Sequence, residues 1–301
     1  MTPADLLNEA NWLELRSLAL PPRVGTELVT TEQTRAEFLE GARLLRLHEI
    51  YAQQLVIADT INAGLESTAL CIPRRATKST STQAVILGRL MLREDYRAAM
   101  TLTTKGAKAR GVFLSDVLGP IERVYPDPKT RPMKTLRGNS RTGIEFPNGS
   151  EYFVETPIGD SFRASAYDLV LVDEAGEATL AQGDDLNGAI LATMDTRDGQ
   201  VIYAGTPGDY RDGNMLWEAL HDPAGAVAFY SIGDDVPIEM LDTWEAVEPL
   251  VWATHPGVAA GLTPIDKIRA RYLKLGPARF AREYLGVFGD GGGPQTILRT
   301  D

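Results

Sequence analysis

The sequence predicts an α/β protein whose mostly parallel central sheet is flanked by helices, with a small helical subdomain appended. Apolar runs of strand length alternate with stretches of helical periodicity through about residue 232. Three of those runs, closing at Ile72, Glu174 and Gly205, end in polar signatures. From about Gly233 only helical stretches follow, punctuated by Thr263-Pro264 and Gly276-Pro277. Ligands of parallel sheets sit beyond the carboxyl ends of the strands, so one site can draw on all three endings.

Taken in order, Thr2-Pro3 opens a helix, and Pro21-Pro22 closes that stretch. Thr31 to Gly64 reads as helical with a break near His48; Phe38, Leu39, Leu44, Leu45, Leu47 and Ile50 recur at helical spacing. Thr68–Ile72 reads as a buried strand, Pro73–Lys78 as a loop and Ser79–Leu92 as a helix. Ala98–Thr103 is a second strand and Lys105–Leu118 a second helix. A polar, Pro-rich crossing runs from Pro120 to Pro132, and Asn148-Gly149 between alternating stretches marks a hairpin. Tyr167–Glu174, Gln200–Gly205 and Ala226–Ile232 complete the strands. Helices are expected around Leu241–Trp252, Thr263–Leu275 and Pro277–Leu285.

Composition narrows the function classes. The chain has 301 residues, 44% hydrophobic and 24% charged, ordinary values for a globular protein. A single cysteine, Cys71, and three scattered histidines leave no internal disulfide and no zinc-ligand spacing. No apolar run approaches the ~18 residues of a membrane span, and MTPADLLNEANW has no signal-peptide pattern. The net charge is −11, but residues 71–141 hold 15 Lys or Arg against five acids. A local basic surface can bind a polyanion on an acidic protein; solvated helix faces without a shared target are the alternative.

Three motifs carry chemistry. The first is Cys71-Ile-Pro-Arg-Arg-Ala-Thr-Lys-Ser-Thr, a strand, tight loop, Lys-Ser and helix in the plan of a phosphate-binding loop. Pro73, Arg74, Arg75, Ala76, Thr77, Lys78, Ser79 and Thr80 would cradle phosphates, with Lys78 on the β- and γ-phosphates and Ser79 on Mg²⁺. Ile72 and Thr77 stand where that pattern has glycine. Thr77 keeps its N–H, so the cradle can form if φ stays negative. The second is the apolar strand ending in Asp173-Glu174. Asp173 would hold Mg²⁺ through water, and Glu174 would polarise the attacking water. The third, Gly205-Thr206-Pro207, follows the next strand, where a hydroxyl can sense the γ-phosphate. Each motif alone has a bland reading, as a surface helix start, a helix cap or a turn. Their order is that of a RecA-like P-loop ATPase.

On these residues the sequence resembles the ATPase half of tailed-phage large terminases, over roughly residues 50–288. That family has a deviant, arginine-containing phosphate loop, an Arg shortly before a strand ending in Asp-Glu, and a Gly-Thr-Pro-like coupling motif. Pro73-Arg-Arg-Ala-Thr-Lys-Ser, Arg163 ahead of Asp173-Glu174, and Gly205-Thr206-Pro207 match these. Trp252-Ala-Thr-His-Pro-Gly and Phe280-Ala-Arg-Glu-Tyr-Leu match its lid region. The resemblance implies an ASCE-type core over 51–232, an N-terminal helical segment over 1–50, a helical lid over 233–288, and a linker over 289–301 toward an absent RNase H-like nuclease.

It further implies an ATPase coupled to translocation of double-stranded DNA into the procapsid, using ATP and Mg²⁺, without nuclease activity in this chain. The implied partners are the capsid portal, the small terminase subunit and further copies in a ring, in the cytoplasm of the infected bacterial host and transiently at the portal vertex. The family often reads adenine with a Gln upstream of the loop; Gln54 or Gln53 does so here, or faces water. Arg163 is expected to act in trans on a neighbour's nucleotide, with a surface pair to Asp160 as the alternative. Lys134, Arg137 and Arg141 are the expected DNA contacts. Two other readings compete: a nucleotide-binding assembly protein with a decayed loop, and an Asp-Glu-box helicase. The helicase would need a second RecA-like domain, for which the last 70 or so residues are few. A GTPase is disfavoured by the lack of Asn-Lys-x-Asp.

Overall fold

A computed structural model describes residues 3–64, 66–104, 106–139, 141–163, 165–233 and 236–289. Thr2, Lys105 and residues 290–301, where a cap, a helix start and most of a linker are expected, lie outside them. Nine strands are described: β1 (Val24–Gly25), β2 (Ser67–Cys71), β3 (Arg97–Leu102), β4 (Lys134–Arg137), β5 (Thr142–Glu145), β6 (Glu151–Val154), β7 (Leu169–Asp173), β8 (Gln200–Gly205) and β9 (Ala226–Phe229). The helices are α1 (Glu9–Ser17), α2 (Glu32–Leu44), α3 (Ala52–Ile61), α4 (Lys78–Leu92), α5 (Gly106–Val112), α6 (Gly119–Val124), α7 (Leu180–Met194), α8 (Met215–Leu220), α9 (Trp244–Thr254), α10 (Pro256–Ala259), α11 (Ile265–Leu275) and α12 (Pro277–Leu285).

The strands form one sheet in the order β1-β9-β2-β8-β7-β3-β6-β5-β4. The six from β9 to β6 are parallel, and antiparallel β1 on one edge and β5-β4 on the other extend them. Unbroken apolar runs such as Leu169–Val172 exist because both sheet faces are covered. Leu169, Leu171, Leu70 and Ile202 enter the core under α2–α4. Val170, Val172, Ala69, Cys71 and Val201 enter a second core under α7 and α8. A third apolar cluster, from Leu241 to Leu285, joins the last four helices around Trp244, Tyr272 and Phe280.

Local chemistry accounts for most boundaries. Thr31 and Thr34 cap α2 reciprocally, and the helix stops at Leu44 before α3 resumes at Ala52, the break expected near His48. The hairpin turns at Pro147-Asn-Gly, with Gly149 at φ +85°. Asn148 donates to the carbonyls of Leu90 and Arg93, hooking the turn onto the end of α4.

One expectation is corrected, and one strand not read from the sequence is added. The crossing from Pro120 begins as helix, because α5 runs through a π-helical turn (Phe113–Leu118) into α6, with Pro120 just after that turn. Lys134–Arg137 forms an edge strand, β4, whose alternation the charged termini obscured. Among the described residues no helix is long and apolar enough to cross a membrane.

Candidate functional site

Three neighbouring parallel strands bring the motifs to one edge. Register sets Cys71 beside Gly205, and Asp173 beside Ala204. The strand carrying Gly205 thus lies between the strand that leads into Pro73–Lys78 and the acidic one. Beyond their carboxyl ends opens a cavity of about 890 Å³. Pro73 to Thr80, Asp173, Glu174, Gly205 and Thr206 line it, together with Lys267, Arg271 and Tyr284 of the helical subdomain.

The loop's conformation answers the question posed by its missing glycine. Thr77 has φ +68° and ψ 9°, and Arg75 has φ +67°. The condition of a negative φ at Thr77 is not met: the threonine adopts the left-handed backbone that glycine supplies freely. Such residues curl successive N–H groups into an anion-binding nest. A β-branched residue there is strained, by roughly 1–3 kcal/mol. Part of that is offset where the Thr77 carbonyl accepts from the Ser81 hydroxyl at 2.8 Å. Thr77→Gly should accordingly raise stability by about 1 kcal/mol in denaturant unfolding; a loss of stability would show the threonine to be unstrained. Thr77 also gives α4 no side-chain cap, whereas α1, α2, α7, α8 and α9 all have one. The first N–H groups of a 15-residue helix therefore face the cavity without a capping acceptor.

Lys78 Nζ donates to Asp173 Oδ1 at 2.7 Å, with both side chains largely buried. The ammonium thus balances the carboxylate in this state. Glu174 also sits at positive φ, +58°. Its carboxylate accepts from Thr104 Oγ1 at 2.6 Å and from Lys108 Nζ at 2.8 and 2.9 Å. Thr103 binds its carbonyl. These partners come from the end of β3 and the start of α5, adjacent to β7 in the sheet. Three of the six non-glycine residues at positive φ, Arg75, Thr77 and Glu174, line this cavity, so backbone strain is concentrated where the motifs meet.

The helical subdomain grips the loop from outside. Buried His255 accepts the Val258 N–H at Nδ1, so its proton sits on Nε2 and is donated to the Arg74 carbonyl at 3.0 Å. Burial pushes its pKa down to about 4, which keeps the ring neutral. Thr263 donates to the Arg75 carbonyl at 2.9 Å, and Glu283 pairs with the Arg74 guanidinium. A Cβ on Gly257 would lie 2.8 Å from the Arg75 carbonyl, so only glycine permits this approach. The sequence assigns no site role to His255, Gly257, Thr263 or Glu283, although His255, Gly257 and Glu283 fall within the two lid-like stretches.

The remaining expected site residues lie elsewhere. Gln54 is buried and not among the residues lining the cavity, its Oε1 accepting the Tyr51 N–H at 2.9 Å to cap α3, so it does not face water. Pro207 packs beside Gly176 behind the cavity wall. Arg163 is exposed, donating to Asp160 at 2.6 Å and lying 3.9 Å from Asp185. Lys134, Arg137 and Arg141 cluster at the antiparallel edge, remote from the cavity. Their own stretch lacks acids, but neighbouring elements supply them: Glu145 for Lys134, Glu122 for Arg137, and Glu145 and Glu151 for Arg141.

Comparison with solved structures places this architecture. The crystal structure of the HK97 bacteriophage large terminase matches 96% of the chain with a TM-score of 0.60 at 16% identity. The fold is that of phage large-terminase ATPase domains. The isolated ATPase domain of the Thermus phage P74-26 large terminase matches with a TM-score of 0.56 at 17% identity, covering 82% of this chain and 97% of that one. The large terminase of a thermophilic bacteriophage, in complex with ADP, gives a TM-score of 0.52 at 12% identity over 79% of the chain. The chain spans 56% of the HK97 large terminase and 53% of the ADP-bound protein, about half of each. No protein-family model and no curated protein matches the sequence.

Proposed function

We propose that this chain is the ATP-hydrolysing motor portion of a phage large terminase, driving double-stranded DNA into a procapsid. The carrying observation is the convergence of Lys78, Asp173, Glu174 and Thr206 on one cavity, at the strand edge of a terminase-like ATPase fold. ATP would lie with its phosphates against the loop and the open end of α4. Magnesium favours oxygen donors and is usually held by one or two carboxylates plus substrate phosphates. Asp173 and Ser79 offer such donors, and when bound the ion would neutralise charge developing on the phosphates. Lys78, released from Asp173, would meet the β- and γ-phosphates. Glu174 would accept a hydrogen bond from the attacking water and orient it, and Thr206 would couple phosphate state to the neighbouring strand.

The test is hydrolysis by the purified chain with and without duplex DNA. Hydrolysis stimulated by DNA and abolished in Lys78→Ala supports the motor reading. Nucleotide binding without turnover favours the decayed-loop assembly protein, the reading that strained Thr77 would suit. DNA contact is assigned to the edge bearing Lys134, Arg137 and Arg141. Their exposed ion pairs stabilise little and can be exchanged for phosphates. The triple alanine variant should bind duplex DNA more weakly and with a salt slope reduced by about three phosphate contacts; unchanged affinity and slope would refute the assignment.

In the working assembly the chain would form a ring on the portal with the small subunit nearby, in the host cytoplasm. Arg163, exposed and outside its own cavity, would reach a neighbour's nucleotide. Arg163→Ala should lower hydrolysis by ~10³-fold. Mixed with Glu174→Gln, it should regain activity, because an intact Glu174 site then receives an intact Arg163. Verified mixed rings without activity at any ratio would exclude the in-trans role.

A further inference from the structure

The cavity is walled on one side by charges that its motifs do not explain. Lys267 and Arg271 lie one turn apart on α11 and both line it. Neither has an ion-pair partner among the described residues, although the chain carries a net charge of −11. Three other charges of this wall are paired. Lys78 is paired with Asp173, Arg74 with Glu283, and Glu174 with Lys108. Arg75, Lys267 and Arg271 are left as three cations without an ion pair around one polar cavity, against one lining acid, Glu177, that is also without one among the described residues.

The helix is not free to turn them away. Ile268 and Tyr272, buried between Trp244, Phe280 and Leu241, fix its rotation. Thr263, one turn upstream, is tied to the Arg75 carbonyl, which fixes the start of α11 against the phosphate loop. Both cations are solvent-exposed, and together they offer an anion entering the cavity two positive charges that no neighbouring acid pairs with.

We infer that Lys267 and Arg271 form a clamp on the polyphosphate of the bound nucleotide, opposite the phosphate loop, so that the nucleotide itself bridges the sheet and the helical subdomain. The inference deepens the nucleotide reading proposed above and rests on it. A clamp on the phosphate chain adds most for the triphosphate, less for the diphosphate and nothing for adenosine. The helical subdomain is thereby sensitive to the number of phosphates present, and loses part of its hold when the γ-phosphate leaves.

The experiment compares Lys267→Ala/Arg271→Ala with Arg269→Ala/Lys274→Ala, a charge-matched pair on the same helix that does not line the cavity. Binding of ATP, ADP and inorganic tripolyphosphate is measured by calorimetry at two salt concentrations, and folding is checked by thermal unfolding. The clamp predicts about a ten-fold weaker ATP affinity for each cation lost, a smaller loss for ADP, and a shallower salt dependence. The control pair should match wild type, and Lys267→Arg/Arg271→Lys should restore most of the affinity. Equal losses in both alanine pairs would reduce the effect to net charge and overturn the clamp. Unchanged ATP affinity in the cavity-facing pair, with wild type binding normally, would overturn the clamp alone. Wild-type protein that binds neither ATP nor tripolyphosphate would overturn the nucleotide reading together with it.

Discussion

Glu174→Gln should reduce steady-state ATP hydrolysis by about 10²–10⁴-fold while nucleotide binding persists. The carboxylate stands directly after Asp173 at the cavity and is the acid best placed to polarise a water aimed at a γ-phosphate. Glutamine keeps its size and its ability to accept from Thr104, but cannot carry the charge. The lost pair with Lys108 is partly exposed and contributes little to stability, so folding should be unaffected. Lys78→Ala should fail differently, because it removes the cation that meets the phosphates, and its loss should appear in affinity. Calorimetry and single-turnover hydrolysis on the two variants separate binding from chemistry. Undiminished hydrolysis by Glu174→Gln would remove it from the catalytic role.

The second large effect is far from the chemistry. Helices α2 and α4 cross with their backbones in contact at Gly41 and Gly88. A Cβ on Gly88 would sit 1.6 Å from the Glu37 carbonyl oxygen, and one on Gly41 would sit 1.8 Å from that of Ala84. Both obstacles are backbone, so no rotamer change relieves them, and the helices must separate. Gly88→Ala should destabilise the protein by at least ~3 kcal/mol, the upper part of the range for overpacked cores. Nucleotide affinity should fall with it, since α4 begins at Lys78 and carries the open helix end into the cavity. Gly188→Ala is the control. It also lies within a helix, but an added methyl there meets nothing within 4 Å, so it should stabilise by about 0.5–1 kcal/mol through helix propensity. Denaturant melts within about 0.5 kcal/mol of wild type for Gly88→Ala would show that the helices can part cheaply.

The chain's own order determined its sheet and the position of its motifs. Apolar runs such as Leu169–Val172, alternating with helical stretches, read as parallel strands covered on both faces, and a polar residue at the end of such a run emerges at the sheet edge. Lys78, Asp173, Glu174 and Thr206 could therefore be placed together before their geometry was known. Tertiary structure alone decided what requires two distant segments to meet. The left-handed backbone at Thr77 is invisible in a threonine, because a residue's φ reflects the contacts that hold the loop, here the grip of His255, Thr263 and Glu283 on Arg74 and Arg75. Gln54 carries the same amide whether it meets adenine or caps its own helix, and only the path of α3 selects between them. Lys134, Arg137 and Arg141 looked unopposed because their partners, Glu122, Glu145 and Glu151, are near in space and not within their stretch. Lys267 and Arg271 carry no site signal of their own, and only the packing of Ile268 and Tyr272 turns their helix so that both cations line the cavity. Local periodicity can be read along a chain because it depends on neighbours in sequence; pairing, strain and exposure depend on neighbours in space.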